Sequence, residues 1–287
     1  MTDMSDGERL HRTTSSDGTE IVGRVVGQGP PLVLLHGGVF CGETAWEGML
    51  PYLTDQFTCF LPSTRGKGLS AHADGYSLEL QLEDVMAFVD SIGQPAALFG
   101  WSGGGLNALG VAQRSDALTA VAVYEPAVFE AIDEQTFADM GATLERMNAE
   151  VDQGQPAEAA RQFVAFAGRD DELAAVVAAD LHEVAAPNQL ADLRVLGNVD
   201  PTAPSATDPA ALATITTPVL ALQGGRPARE WFPRMVQHVA EHVPDCEVRT
   251  IPGAGHWGPV VTPEPVAAEL RHSLVSTGEP QPTATSE

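Results

Sequence analysis

The sequence predicts an α/β fold in which helices flank a mostly parallel central sheet and a helical cap is inserted. Two observations support this prediction. Short apolar runs closed by Gly, Pro or Ser alternate with amphipathic stretches, as in buried strands joined by helices. One long stretch, 127–210, interrupts that alternation without a clear strand. The length of 287 residues suits one such domain carrying an insertion.

A β-hairpin opens the predicted fold, because LHRTTSS and TEIVGRVVG flank Asp17 and Gly18, a pair typical of tight turns. Six buried strands follow, each predicted from a short apolar run: PLVLLHGG (31–38), FTCFLPS (57–63), AALFGWS (96–102), AVAVYEP (120–126), PVLALQGG (218–225) and EVRTIPG (247–253). Between the second and third of these, SLELQLEDVMAFVDSIG is a predicted helix capped by Ser77 and closed by Gly93.

The stretch at 127–210 is rich in alanine and charged residues and is too long for an ordinary crossover connection. Three segments in it have apolar positions spaced for one-sided helical burial: FADMGATLERMNAEV, AEAARQFVAFAG and DDELAAVVAADLHEVA. We therefore expect a core in two parts, 1–126 and 211–275, separated by a helical cap. The polar tail at 276–287 is expected to be disordered.

Composition excludes several classes of partner. The formal net charge of −24 disfavours nucleic acid and anionic membranes. No apolar run is long enough to span a membrane, and the polar N-terminus is unlike a secretion signal, so we expect a cytoplasmic protein. Cys41, Cys59 and Cys246 are scattered, which suits reduced thiols and gives no zinc motif. We expect no metal and no organic cofactor, and the sequence leaves a homodimer open.

The candidate nucleophile is Ser102. GWSGG at 100–104 matches G-x-S-x-G and lies between a predicted strand and a predicted helix. Such a turn forces the serine into an unfavourable backbone conformation, so small residues are needed two positions away on each side, and Gly100 and Gly104 supply them. A phosphate-binding loop does not fit, because no Lys-Ser or Lys-Thr follows these glycines and the spacing is not GxGxxG.

A serine nucleophile needs a base, since its hydroxyl does not ionise at neutral pH. GAGHWGP places His256 on a glycine-rich loop directly after the last predicted strand. Of the eight histidines, it alone lies at the carboxyl end of a strand late in the chain. His256 is therefore the candidate general base.

Together with HGG at 36–38 and RGKGLS at 65–70, these motifs resemble those of the α/β-hydrolase fold superfamily. The resemblance covers nearly all of the chain except the predicted cap. It implies an oxyanion hole formed by the backbone N–H groups of Gly103 and of Gly38 or Val39. Each such donor contributes roughly 3 kcal/mol of transition-state stabilisation. His36 itself is interpreted as ordering the loop.

The acid of the predicted triad departs from the common pattern of this superfamily. It usually follows the penultimate strand as G-x-x-D, but GGRPAREWF has no carboxylate at that spacing. We assign the acid to Glu125, which ends the strand after the nucleophile helix; this position resembles zearalenone-lactonase-like and haloalkane-dehalogenase-like members. A structural role for Glu125, bonding nearby backbone, stays open. Weaker alternatives for the acid are Glu230, Asp208 and Asp245.

The predicted function is a serine hydrolase that cleaves a small carboxylic ester or lactone through an acyl-enzyme. Alternatives are a carbon–carbon bond hydrolase, a cofactor-free perhydrolase, and a ligand-binding receptor with little turnover. Fold does not determine the substrate. We expect Trp101, Trp257 and Phe129 to line an apolar substrate pocket, although core packing explains such aromatic residues equally well.

Overall fold

The computed structural model describes residues 9–199 and 204–276. Its eight strands form one sheet in the order β1-β2-β4-β3-β5-β6-β7-β8. The strands are β1 Arg9–Thr14, β2 Glu20–Gly27, β3 Pro31–Leu35, β4 Thr58–Pro62, β5 Ala96–Trp101, β6 Leu118–Tyr124, β7 Val219–Gly224 and β8 Cys246–Ile251. Only the pairs β1–β2 and β2–β4 are antiparallel, and the pairs from β4 to β8 are parallel. The predicted mostly parallel sheet and its opening hairpin are confirmed.

The sheet positions the loops at its carboxyl edge. β3 and β5 are buried at every residue, as expected for central parallel strands covered on both faces. Several strands end earlier than the apolar runs predict, because 36–38, Ser63 and Ser102 belong to loops rather than to the ladder. In open α/β sheets, ligands bind in the crevice outside the carboxyl ends of the strands. The loops after β3, β5, β6 and β8 meet at this edge.

Helices connect the strands and cover the sheet. They are α1 Gly42–Ala45, α2 Leu78–Ser91, α3 Gly103–Ala112, α4 Glu134–Asp152, α5 Pro156–Ala167, α6 Asp170–Ala178, α7 Leu181–Ala185, α8 Gln189–Leu196, α9 Pro209–Leu212, α10 Trp231–His242, α11 Gly258–Val261 and α12 Pro263–Ser276. At the start of α2, Ser77 Oγ accepts the N–H of Leu80 at 3.2 Å. After its end, Gly93 takes a φ of 73°. Both helix signals read from the sequence are therefore observed.

The stretch between β6 and β7 is helical. Its described residues, 127–199 and 204–210, contribute no strand to the sheet and hold α4 to α8. The predicted tail at 276–287 lies, apart from Ser276 at the end of α12, outside the described residues. Within the described part of the chain, no helix is both long and apolar enough to cross a bilayer.

Candidate active site

Ser102 occupies the tight turn between β5 and α3. Its φ of 54° lies in a region that side-chain-bearing residues rarely adopt. A Cβ at Gly100 would lie 2.3 Å from the carbonyl oxygen of Gly104, and one at Gly104 would lie 2.1 Å from that of Leu35. Only glycine fits at either position, because β3, β5 and α3 approach each other so closely. The strand–turn–helix context predicted for GWSGG is therefore observed.

His256 and Glu125 form a buried pair beside this turn. Glu125 Oε2 lies 2.9 Å from His256 Nδ1, and the two residues are 0% and 1% exposed. The other carboxylate oxygen, Oε1, accepts the N–H of Gly224 at 2.9 Å. The end of β7 thus contributes a backbone donor to Glu125. The residues that follow β7 supply no carboxylate at the usual spacing. Both oxygens of this buried carboxylate have partners, as burial of a charge requires.

The alternative acids read from the sequence lie elsewhere. None of Glu230, Asp208 and Asp245 forms a hydrogen bond or ion pair with His256. Asp208 Oδ2 instead accepts the N–H of Ser205 at 3.0 Å. Across 9–199 and 204–276, no cluster of three or more His, Cys, Asp or Glu side chains is arranged to hold a metal ion.

The imidazole of His256 is held from several sides. The ring of Phe232, on α10, stacks on it with centroids 4.0 Å apart and planes 15° from parallel. Trp101 Nε1 donates to the carbonyl oxygen of His256 at 3.0 Å, and the Tyr124 hydroxyl donates to that of Gly255 at 2.6 Å. These contacts fix the ring and its loop against β5 and β6.

Ser102, His256 and Glu125 line one cavity of about 130 Å³. The structure forms no hydrogen bond between Ser102 Oγ and the imidazole within its described residues. Catalytic hydrogen bonds often tighten only when substrate binds, so the missing hydrogen bond is compatible with proton transfer from Ser102 to His256. Much of the remaining wall is apolar: Leu78, Leu106, Ala127, Phe129, Ile132, Met140, Phe163, Phe166, Ala167, Val195, Leu196, Trp231, Phe232 and Met235.

Of the three aromatic residues expected in the pocket, Phe129 lines the cavity. The other two do not, which corrects the prediction. Trp101 and Trp257 are 0% and 1% exposed, and they pack behind the site with their rings 5.2 Å apart. Trp257 Nε1 donates to the carbonyl oxygen of Val164 at 3.1 Å. Both tryptophans therefore belong to the core that supports the His256 loop.

Two backbone donors face the cavity beside Ser102. Gly38 and Gly103 both line it, and neither N–H has a hydrogen-bond partner among the described residues. Val39, the third candidate donor, is committed elsewhere, since its N–H donates to Asp192 Oδ2 at 2.8 Å. The N–H of Val39 is therefore not free to act as an oxyanion donor, and Gly38 and Gly103 remain the candidate donors.

A buried ion pair fixes the loop after β3. Asp192 on α8 accepts from Val39 through one oxygen and pairs with Lys67 Nζ at 2.5 Å through the other. Asn188 Nδ2 donates to the carbonyl oxygen of Val39 at 3.2 Å, and Lys67 Nζ donates to that of Phe40 at the same distance. Val39 has a φ of 63°, which is strained for a β-branched residue. Side chains of α8 and of the residue before it thus bind the N–H and the carbonyl oxygen of Val39, a strained residue in the predicted oxyanion loop.

His36 braces the same loop as a neutral side chain. Burial, together with the nearby charge of Lys67, lowers the pKa of His36 to about 3. Its Nδ1 donates to the carbonyl oxygen of Gly37 at 2.8 Å, and its Nε2 accepts the N–H of Thr64 at 3.1 Å. These contacts agree with the interpretation that His36 orders the loop.

The His256 loop is also held from the helical stretch. Glu172, buried at the start of α6, accepts the N–H of Trp257 at 3.0 Å and that of Arg169 at 3.1 Å. Arg169 Nη1 in turn donates to the carbonyl oxygen of Arg226, in the loop after β7, at 2.7 Å. Residues of 127–199 therefore contact the loops that follow β3, β7 and β8.

We expect Asp192→Asn to destabilise the fold by about 3 kcal/mol, since it leaves the buried Lys67 ammonium without its counter-charge. The free energy of unfolding in urea measures this effect. The double variant Lys67→Met/Asp192→Asn removes the unpaired charge and is expected to be more stable than Asp192→Asn alone. Equal stability of Asp192→Asn and the wild type would contradict this account of the ion pair.

Comparison with known proteins agrees with this geometry. Residues 32–269 match the alpha/beta hydrolase family. The chain is 30% identical over 271 residues to a pimeloyl-[acyl-carrier protein] methyl ester esterase of Stenotrophomonas maltophilia, a match that covers 88% of this chain and 95% of the relative.

Solved structures give the same result. An esterase of Rhodococcus sp. ECU1013, RhEst1, aligns with a TM-score of 0.73 at 25% identity and covers 94% of this chain and 99% of its own. A thermophilic esterase of Thermogutta terrifontis aligns with a TM-score of 0.75 at 22% identity, covers 94% of this chain and 100% of its own, and supports the fold. The family match spans most of the chain, and the chain therefore belongs to the alpha/beta hydrolase family.

Proposed function

We propose that this carboxylic ester hydrolase forms an acyl-enzyme on Ser102, with His256 as general base and Glu125 as the acid that orients it. The observation that carries the proposal is the 2.9 Å contact between His256 Nδ1 and Glu125 Oε2, buried at a cavity that Ser102 also lines. A buried carboxylate in that position enforces the tautomer in which Nε2 is free to accept a proton.

Acylation follows from the positions of these groups. Ser102 Oγ attacks the carbonyl carbon while its proton moves to His256 Nε2. The charge of Glu125 stabilises the imidazolium that forms, and the developing oxyanion accepts hydrogen bonds from the N–H groups of Gly38 and Gly103. The bond to the leaving alcohol then breaks, and the imidazolium gives its proton to the departing oxygen.

Deacylation repeats these steps with water. His256 Nε2 takes a proton from a water molecule as the water oxygen attacks the acyl carbon. The same two N–H groups stabilise the second oxyanion. When the bond to Ser102 Oγ breaks, the serine recovers its proton from the imidazolium and the carboxylic acid leaves. With a lactone, acid and alcohol leave as one molecule.

We also propose that 127–210 is a cap over a core made of 1–126 and 211–275. The support is the share of the cavity wall that this stretch supplies, which includes Phe129, Ile132, Met140 and Phe163. An apolar wall of this kind suits an ester or lactone with an apolar or aromatic group. The net charge of −24 supports a small-molecule substrate over nucleic acid or an anionic membrane.

A panel of p-nitrophenyl esters and aromatic lactones tests this function. We expect the purified protein to hydrolyse members of both groups with apolar acyl chains, and Ser102→Ala protein to give the blank. Two competing activities are measured beside it. A vinylogous diketone tests carbon–carbon bond hydrolysis, and an ester supplied with hydrogen peroxide tests perhydrolysis. Turnover of the diketone alone, or of no compound above the blank, would overturn ester hydrolysis as the function.

A further inference from the structure

The wall of the catalytic cavity includes polar side chains that lack hydrogen-bond partners among the described residues. Asn107, on α3, is 2% exposed and lines the cavity, and its side-chain oxygen is buried without a hydrogen bond. Its amide nitrogen forms none with the described residues either. Thr64 lines the same cavity and its buried hydroxyl is also without a partner. A buried polar group left unpaired costs about 1–3 kcal/mol, so these groups call for a partner from the cavity.

Gln81 is a further polar side chain of the cavity wall. It lies on α2, which packs against α3 such that a Cβ at Gly110 would lie 3.0 Å from the Leu82 side chain. Gln81 lines the cavity, and its side chain has no hydrogen bond within the part of the chain that the structure describes. Three neutral side chains that both donate and accept hydrogen bonds therefore line the catalytic cavity without a partner among the described residues.

The charges around the cavity are already paired. Lys67 is neutralised by Asp192, and Glu125 is engaged by His256 and Gly224. A charged substrate group would therefore meet no free counter-charge here, and burial of an unpaired charge is strongly unfavourable. A neutral group that both donates and accepts, such as a hydroxyl, satisfies the amides and the threonine at once.

We propose that Asn107, Thr64 and Gln81 form a subsite for an uncharged hydroxyl group of the substrate. Asn107 lies five residues after Ser102, which is about 7.5 Å along the axis of α3. The substrate is then an ester or lactone with an apolar body and a hydroxyl remote from the reacting carbonyl. This inference rests on the proposed ester hydrolysis and names the substrate class within it.

A small void next to Asn107 and Thr64 offers an alternative partner for them, a bound water molecule. It has a volume of about 10 Å³ and is lined by Asn107, Thr64 and His36. That is about the space of one water molecule. A water fixed there would satisfy Asn107 and Thr64 without any substrate hydroxyl, and the enzyme would then show no preference for hydroxylated substrates.

The test compares matched esters that differ only by hydroxyl or methyl at one chain end. One series varies the acyl chain of p-nitrophenyl esters and another varies the alcohol of benzoate esters, so that either side of the carbonyl is covered. At one chain length we expect kcat/KM to be at least about tenfold higher for the hydroxylated ester. In Asn107→Leu and Thr64→Val this ratio is expected to fall towards one, because the substrate hydroxyl loses its hydrogen-bond partners.

Asn148→Leu is the matched control, because Asn148 is exposed on α4 and outside the cavity. It is expected to keep the wild-type ratio. Calorimetric affinities of Ser102→Ala protein for the same pairs repeat the comparison without turnover. If the wild type hydrolysed the hydroxylated and the methyl esters at equal rates and Ser102→Ala protein bound them with equal affinity, the proposed subsite would be overturned. Absence of turnover with a retained difference in affinity would instead overturn the proposed chemistry and leave the subsite standing.

Discussion

Replacement of Ser102 by alanine is expected to lower ester turnover by a factor on the order of 10⁵ or more, because it removes the atom that attacks the carbonyl. The fold should survive, although alanine also has to accept the φ of 54° at this turn. Initial rates with a p-nitrophenyl ester, measured beside the urea unfolding curve of each protein, give the result.

Ser115→Ala is the matched control for this variant. Ser115 lies beyond the far end of α3, and its hydroxyl accepts the N–H of Ala117 at 3.2 Å. It does not line the cavity. Its loss should cost some stability and leave the turnover number unchanged. A Ser102→Ala protein that kept full turnover would show that another group is the nucleophile.

Glu125→Gln is expected to lower kcat by a factor on the order of 10³ to 10⁴ and to leave the protein folded. The glutamine oxygen can still accept the N–H of Gly224, which preserves the structural contact. The imidazolium, however, loses its counter-charge, and an amide N–H facing Nδ1 no longer enforces the productive tautomer.

The control for Glu125→Gln is Glu230→Gln, since Glu230 is exposed at the start of α10. It is expected to change kcat by less than about twofold, as is usual for a substitution remote from the reacting groups. Near-wild-type kcat in Glu125→Gln, with the unfolding free energy unchanged, would remove Glu125 from the triad and leave Ser102 and His256 to be tested separately.

The fold was predictable because its signals are local. Each central strand is a short apolar run ended by Gly, Pro or Ser, and the GWSGG turn shows its strand–turn–helix context directly. Glu125 could be singled out because it ends a buried strand and because the usual acid position is vacant. The strand ends were less predictable, since the loops at 36–38 and at Ser102 continue the apolar or glycine-rich runs without a break.

The residues that support the site were not predictable from local patterns. Asp192 and Glu172 lie on helices with ordinary polar faces, and their partners Val39 and Trp257 are distant along the chain. Lys67 is the single lysine among the 15 basic residues, but no local pattern connects it with the site. In the structure, Lys67 forms its ion pair with Asp192 of α8.

Adjacency along the chain was misleading for the aromatic residues. Trp101 directly precedes Ser102, but Trp101 is the last residue of β5, whereas Ser102 lies in the turn that follows it. The ring of Trp101 packs against Phe40 in the core, 6.0 Å between centroids, while Ser102 faces the cavity. Phe232, which does contact His256, lies on α10 in a segment where the sequence showed no site motif.

The central claim is an acyl-enzyme on Ser102, and mass spectrometry during turnover tests it most directly. Wild-type protein is mixed with a p-nitrophenyl ester, quenched in acid within milliseconds and digested. The account predicts a burst of p-nitrophenol close to one per protein molecule and an acyl group on the peptide that contains Ser102. A steady rate without a burst and without acylated peptide, or an acyl group on another residue, would contradict it.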